Sequence, residues 1–217
     1  MAKLITSIWP VMVLDAYASL QDVAANANVM LIGTNRGILP EIDYGARKVS
    51  ITSANNLAGV QFTIRGFIYN IPVVENIAGP NANTIYSVND YTSISAITVN
   101  NNAAGVSVGT GNSGFLNAVT LNTQISSFGV TTSVNVTNNI DYSVFRMLEN
   151  ANKITPSGNT INPAAGDNEF PYPGIPLNSV ADIIGYTNNP IQTVLLKVNG
   201  SDITGSLTLR ILQNGVS

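Results

Sequence analysis

The chain has 217 residues, of which only 10% are charged, and its formal net charge is −3. It has no cluster of Lys and Arg, which argues against a surface that follows nucleic-acid phosphates. It has no Cys and no His, which removes thiolate chemistry, the commonest general base and the commonest transition-metal ligand. We therefore expect a protein that is not an enzyme and that has no metal, no cofactor and no nucleic-acid partner.

Residues 1–33 form the first predicted segment. Their apolar run is interrupted at Pro10, is too broken for a signal peptide and is too short to cross a bilayer, so no membrane association is expected. Pro10 also disfavours a helix, whereas Ala16–Ala27 fits a short helix or a strand. We interpret the segment as an extended N-terminal arm or an edge strand, with a simple first strand of the core as the alternative. The candidate partner contacts here are Trp9, Val11 and Val13.

Residues 34–110 are predicted to be the first half of a β-sandwich. After a charged loop at 34–44, short apolar runs recur with turn signals about every ten residues, which is typical of sandwiches and barrels. A period of two puts alternate side chains on opposite faces of a strand. In the clearest run, apolar positions alternate with polar ones: Val60, Phe62 and Ile64 with Gln61, Thr63 and Arg65.

Two further features of this half can be interpreted either as ordinary structure or as functional sites. Glu75 and Asp90 lie inside or beside predicted strands and are interpreted as solvated carboxylates, with a glycosidase pair as the alternative. The glycine-rich GTGNSG at 109–114 lacks the lysine and the helix of a phosphate-binding loop. It is predicted to be a turn that connects two halves of the chain.

Residues 111–217 are predicted to be the second half of the sandwich. Asn138–Asn139 is predicted to be the turn of a hairpin because Asn tolerates a positive φ. The runs at 191–198 and 206–212 are predicted to pair as a second hairpin across NGSDITG. The expected core residues of these two runs are Leu196, Val198, Leu207, Leu209 and Ile211.

The Pro-rich stretch 150–177 is the longest part of the chain without periodicity. A loop of this length is usually functional or disordered. It is interpreted as a partner-contacting loop, or else as a loop folded onto its own domain and anchored by its apolar residues. The candidate contacts in it are Phe170, Tyr172 and Ile175.

Together these patterns predict an all-β protein built as an antiparallel β-sandwich. Jelly-roll and immunoglobulin-like arrangements both fit, as one sandwich or as two small ones, with the N-terminal segment extending from it. The glycine-rich stretch near residue 110 is the predicted boundary between the two halves.

Several motifs, taken in their order along the chain, resemble a pattern found in structural proteins of tailed bacteriophage particles. The motifs are SITSANNLAGVQFTIRG, VVENIAGPNANTIYSVNDYTSISAITV and GVSVGTGNSG in the first half, and FGVTTSVNVTNNIDYSVFRM and LTLRILQNG in the second. The resemblance covers about residues 49–147 and the last 25 or so residues. It leaves out the N-terminal segment and the Pro-rich loop.

This resemblance implies a virion protein, foremost a capsid decoration (cement) protein that binds and stabilises the lattice of the major capsid protein. Such proteins are commonly β-sandwiches that form trimers, so a homotrimer located in the virion is expected. A neck, collar or tail component is the nearest alternative, and the family has no catalytic residues to transfer.

A carbohydrate-binding β-sandwich module is the alternative from a different class. Such modules bind sugars on exposed aromatic side chains. The candidates are Tyr69, Tyr86, Tyr91, Tyr172 and Tyr186. An enzyme that acts through carboxylates alone is a third hypothesis.

Overall fold

The computed structural model describes residues 3–32, 44–68, 71–116, 119–121, 129–147, 169–172, 174–187 and 193–213. These ranges contain fifteen strands and no helix, which confirms the all-β prediction. The strands are β1 Lys3–Trp9, β2 Ala18–Val23, β3 Tyr44–Ser53, β4 Gln61–Ile68, β5 Ile71–Ala78, β6 Thr84–Tyr86, β7 Ser93–Val99, β8 Ala103–Leu116, β9 Val119–Thr120, β10 Val130–Thr137, β11 Ile140–Met147, β12 Glu169–Pro171, β13 Ile183–Thr187, β14 Thr193–Ser201 and β15 Ser206–Gln213.

The chain divides into two units. Unit 1 comprises Met1–Val11, Asp43–Gly45 and Ser113–Ser217, and unit 2 comprises Met12–Ile42 and Ala46–Asn112. The main boundary between the units therefore falls between Asn112 and Ser113. The N-terminal segment contributes to both units, with β1 in unit 1 and β2 in unit 2.

Unit 1 consists of antiparallel sheet layers around one core. One sheet has the strand order β1-β15-β10-β13. In the other layer β11 lies between β12 and β14, and β14 also pairs with β9 and the end of β8. Both layers contribute to a single buried cluster that includes Trp9, Val134 and Leu209 from the first sheet and Val144 and Leu196 from the second. The two-layer arrangement is that of a β-sandwich.

Two turns in unit 1 cross from one sheet to the other, so both predicted hairpins are wrong. β10 and β11 flank Asn138, which has the predicted positive φ of 59°, yet they belong to different sheets. β14 and β15 are likewise separated, because β15 pairs with β1 and β10. The turns contact each other, since the Asp202 amide donates to the Asn139 carbonyl at 3.0 Å.

The core residues expected in the second half are all buried, although their strands pair differently from the prediction. Leu196, Val198, Leu207, Leu209 and Ile211 are each at most 2% exposed. Periodicity shows that a strand buries one face. It does not reveal which neighbouring strand completes the ladder, and here two consecutive strands bury their faces into the same core from opposite layers.

Unit 2 is also built from sheet layers around its own core. One sheet has the order β5-β4-β7. The other layer contains β2, the first part of β8, β3 and β6, with β2 and β6 in antiparallel pairs. The predicted alternation in β4 is confirmed, because Phe62 and Ile64 are fully buried while Gln61 and Arg65 are exposed.

The glycine-rich stretch 109–114 lies within β8, so its prediction as a turn is wrong. The glycines permit close backbone approach rather than a change of direction. A Cβ atom on Gly109 would clash with the Val13 carbonyl oxygen, and one on Gly111 would lie 2.7 Å from the Lys48 carbonyl oxygen.

The described end of the Pro-rich stretch is folded onto unit 1. The Tyr172 hydroxyl donates to the Val130 carbonyl at 2.7 Å, and the Tyr172 amide donates to the Val144 carbonyl at 2.9 Å. This part of the stretch matches the alternative interpretation of a loop anchored on its own domain. Residues 150–168, and the charged loop at 34–43, lie outside the described residues.

Candidate functional site

The outer surface of the four-stranded sheet in unit 1 is the candidate site. We call it face 1. It consists of the side chains of β1, β15, β10 and β13 that point away from the core. Its residues are Leu4, Thr6, Ile8, Thr131, Ser133, Asn135, Ile184, Tyr186, Thr208, Arg210 and Leu212.

The strand register arranges face 1 in three rows across the sheet. The first row is Leu4, Leu212, Thr131 and Tyr186, the second is Thr6, Arg210, Ser133 and Ile184, and the third is Ile8, Thr208 and Asn135. The intervening residues of each strand point to the core, as Leu209, Ile211 and Val134 do. The alternation of a β-strand therefore fixes which side chains reach the surface.

Face 1 exposes several large apolar side chains. Ile184 is 70% exposed, Leu4 62%, Tyr186 52% and Ile8 48%. Single exposed apolar residues are ordinary on protein surfaces, but several on one sheet face are a mark of protein interaction sites. The neutral polar positions between them are hydroxyls and one amide, which can be desolvated without the penalty of burying ions.

Arg210 carries the charge at the centre of face 1. Its Nη1 atom donates to Asn135 Oδ1 at 3.3 Å, so this contact goes to a neutral amide. Asp182 precedes β13 at the rim of the sheet. Its carboxylate accepts from the Val136 amide at 2.6 Å and from Asn135 Nδ2 at 3.4 Å. None of the eleven positions of face 1 is a carboxylate.

The six partner contacts predicted from the sequence do not form one site. Trp9, Tyr172 and Ile175 are at most 3% exposed and belong to the core of unit 1. Phe170 lies in β12, where its backbone pairs with that of Arg146, but its side chain lies outside the described part of the structure. Val11 and Val13 are 43% and 40% exposed, so these two present side chains to solvent.

The sequence patterns do not identify face 1 as a site, although they contain part of the signal. The apolar positions Leu207, Leu209 and Ile211 imply that Arg210 and Leu212 point the other way. β13 has no clear alternation and is not predicted as a strand. Its exposed Ile184 and Tyr186 therefore cannot be placed on the same sheet as β1 from the sequence.

Glu75 and Asp90 are buried, so the interpretation of both as solvated carboxylates is wrong. Glu75 is 9% exposed and Asp90 is 4% exposed. Glu75 Oε1 accepts from the Val88 amide at 2.6 Å, and Oε2 accepts from the Asn89 amide at 3.0 Å, from Asn89 Nδ2 at 2.7 Å and from the Tyr91 hydroxyl at 3.3 Å. Both carboxylate oxygens are thus engaged in fixing residues 87–91 against β5.

Two of the five aromatic side chains proposed for sugar binding are inaccessible. Tyr91 and Tyr172 are 1% exposed. Burial, and then the charge of Glu75, raise the pKa of Tyr91 far above its usual value. Tyr86 is half-buried, Tyr186 is exposed on face 1, and Tyr69 lies outside the described residues.

An open depression near the crossing turns of unit 1 is a second place where polar groups gather. It is lined in part by Asn139, Asp141 and Asp202. Asp141 accepts a hydrogen bond from Asn199 at 3.1 Å, and Asp202 accepts from the Thr204 amide and hydroxyl at 3.0 Å each. The parts of the chain that are described contain no group of three or more His, Cys, Asp or Glu side chains that could hold a metal ion.

Comparisons with known proteins add little to this geometry. No family model and no curated protein matches the chain. A chain from a solved structure titled "Structure of infectious bursal disease virus Gt strain" aligns over 100% of this chain and 77% of that chain, with 9% identity and a TM-score of 0.13. A likeness at that level carries no argument. Over the ranges that the structure describes, no helix could cross a membrane.

Proposed function

We propose that the protein is a structural component of a bacteriophage particle, foremost a decoration protein that binds the lattice of the major capsid protein. Its location would then be the virion, and the expected assembly is a homotrimer. The observation that supports a binding role is face 1, a sheet surface with four exposed large apolar side chains and no carboxylate. The phage context comes from the sequence resemblance.

The size of face 1 favours repeated binding over a single tight contact. Its eleven side chains are fewer than the roughly 20–30 residues that each partner contributes to a standard stable interface. A contact of this size is weak alone, but contacts of symmetric copies on a lattice act together through effective concentration. This is the mode of binding that a capsid lattice offers.

The test is cosedimentation of the purified protein with capsid shells that were assembled without it. Ile184→Glu places a charge in the most exposed apolar position of face 1. It is expected to weaken binding at least about tenfold, because a carboxylate would have to be desolvated on docking. Val180→Glu is the matched control, since Val180 is 67% exposed in the same unit but is not part of face 1.

Three results would contradict the proposal. The wild-type protein could fail to bind shells, the two variants could bind equally, or purified particles could lack the chain. Labelling of intact particles with antibody distinguishes the capsid surface from the neck, collar or tail. A glycan array tests the carbohydrate-binding alternative, for which Tyr186 on face 1 is an exposed aromatic residue.

A further inference from the structure

We infer that unit 2 carries a second docking surface, and that it takes the same kind of partner as face 1: a protein surface with apolar groups around a carboxylate. This inference rests on the proposed function. The surface is the outer side of the β5-β4-β7 sheet, which we call face 2. Its residues are Gln61, Thr63, Arg65, Phe67, Pro72, Val74, Asn76, Ala78, Ser93, Ala96 and Thr98.

The register of the three strands brings these residues into rows. Arg65 lies between Val74 on one side and Ala96 on the other, and Phe67 lies between Pro72 and Ser93. The opposite side of β4 is fully occupied by the core, because Phe62, Ile64 and Ile68 are completely buried. Face 2 is therefore the side of this sheet that remains available to a partner.

Face 2 resembles face 1 in combining exposed apolar side chains, neutral polar side chains and a single arginine. Val74 is 56% exposed and Phe67 is 39% exposed, and the neighbouring positions are hydroxyls and amides such as Thr63 and Asn76. Thr63 donates to Asn76 Oδ1 at 2.7 Å, which satisfies two of these polar groups within the face. The face contains one arginine and no carboxylate, and the carboxylate of β5, Glu75, points into the unit instead.

The position of Arg65 defines the chemistry of the occupant. A partner that covered Val74 and Phe67 would also desolvate the side chain of Arg65, which lies opposite Val74 and two residues before Phe67 on the same strand. Burying an unpaired charge is strongly unfavourable, whereas a carboxylate opposite an arginine forms a short, charge-assisted and often bidentate contact. An apolar partner surface with a carboxylate at its centre therefore fits face 2, and the same argument applies to Arg210 on face 1.

The experiment compares charge reversals on the two faces, using the full chain and capsid shells assembled without it. Arg65→Glu is expected to weaken shell binding about 30-fold or more, because it sets like charges opposite each other. Arg65→Lys keeps the positive charge and should lose less than about tenfold. Ser19→Glu adds a negative charge to an exposed position of the same unit outside face 2 and should bind like the wild type.

The double variant distinguishes docking through one face from docking through both faces. If both faces dock, Arg65→Glu combined with Arg210→Glu binds more weakly than either single variant, and raising the salt concentration weakens wild-type binding. If the wild-type protein does not bind shells, the proposed function and this inference both fail. If it binds and Arg65→Glu binds equally well, the inference alone fails. If Arg65→Glu instead abolishes self-association in the absence of shells, the occupant is a second copy and the inference is overturned.

Discussion

The buried carboxylate of Glu75 provides the most direct test of how unit 2 is held together. In Glu75→Gln the side chain keeps its size but one acceptor oxygen becomes an NH₂ donor. Three donors converge on Oε2 and one on Oε1. The amide oxygen therefore retains the most bonds if it faces Asn89 and Tyr91, which leaves the Val88 amide opposite another donor.

The expected loss of stability follows from that single mismatch. The Val88 amide makes a 2.6 Å hydrogen bond to Glu75, and a buried donor left without an acceptor costs about 1–3 kcal/mol. Glu75→Ala removes the acceptor for Val88 and for both donors of Asn89, so it should cost at least about 3 kcal/mol. The predicted order of stability is wild type, then Gln, then Ala.

Amide hydrogen exchange measures the loss of stability at the backbone amides that Glu75 binds. A loss of about 1–3 kcal/mol corresponds to exchange roughly 5- to 150-fold faster at Val88 and Asn89, if their exchange follows opening of this segment. Urea unfolding gives the change in the free energy of unfolding. Asp15→Asn is the control, because it removes a negative charge from an exposed position of the same unit.

The reasoning would be refuted by a Glu75→Gln protein whose unfolding free energy lies within about 0.5 kcal/mol of the wild type and whose Val88 amide exchanges at the wild-type rate. Such a result would mean that another group, or water, satisfies these donors. Glu75 would then not be the residue that fixes the 87–91 segment.

Three further predictions concern pH dependence, close packing and the N-terminal strand. Burial raises the pKa of Tyr142 to about 12, from about 10 in the unfolded chain. The protonated hydroxyl therefore contributes its full stabilisation below pH about 10, and this contribution is lost as the pH rises towards 12. Tyr142→Phe should lower stability at pH 7 by about 1 kcal/mol and make the loss between pH 10 and 12 smaller; an unchanged alkaline profile in urea unfolding would contradict this. Gly109→Ala should destabilise by about 1–3 kcal/mol because its Cβ meets backbone, whereas Gly59→Ala, with nothing within 4 Å, should be near neutral in the same assay. Trp9→Ala should cost about 3–5 kcal/mol as a core truncation, and Val11→Ala much less; equal thermal stability of the two variants would show that Trp9 is not a core residue.

Local patterning in the sequence is enough to determine the fold class and much of the core. The alternation around Phe62 and the apolar positions of the last strand each predict which side chains are buried, since a period of two is a property of the single strand. The lack of His and Cys likewise limits the available chemistry, because no fold can supply a side chain that the sequence does not contain.

Strand pairing and the docking faces are decided only by tertiary structure. Whether the turn at Asn138 makes a hairpin or crosses to the other sheet depends on contacts with residues such as Thr204, whose carbonyl accepts from Asn138 Nδ2 at 3.2 Å. Face 1 joins β1 to β15, which lies at the opposite end of the chain, and no local pattern specifies a neighbour that distant. A side chain's orientation is local information, but its neighbours across a sheet are not, so sites built across strands appear only once the strands are paired.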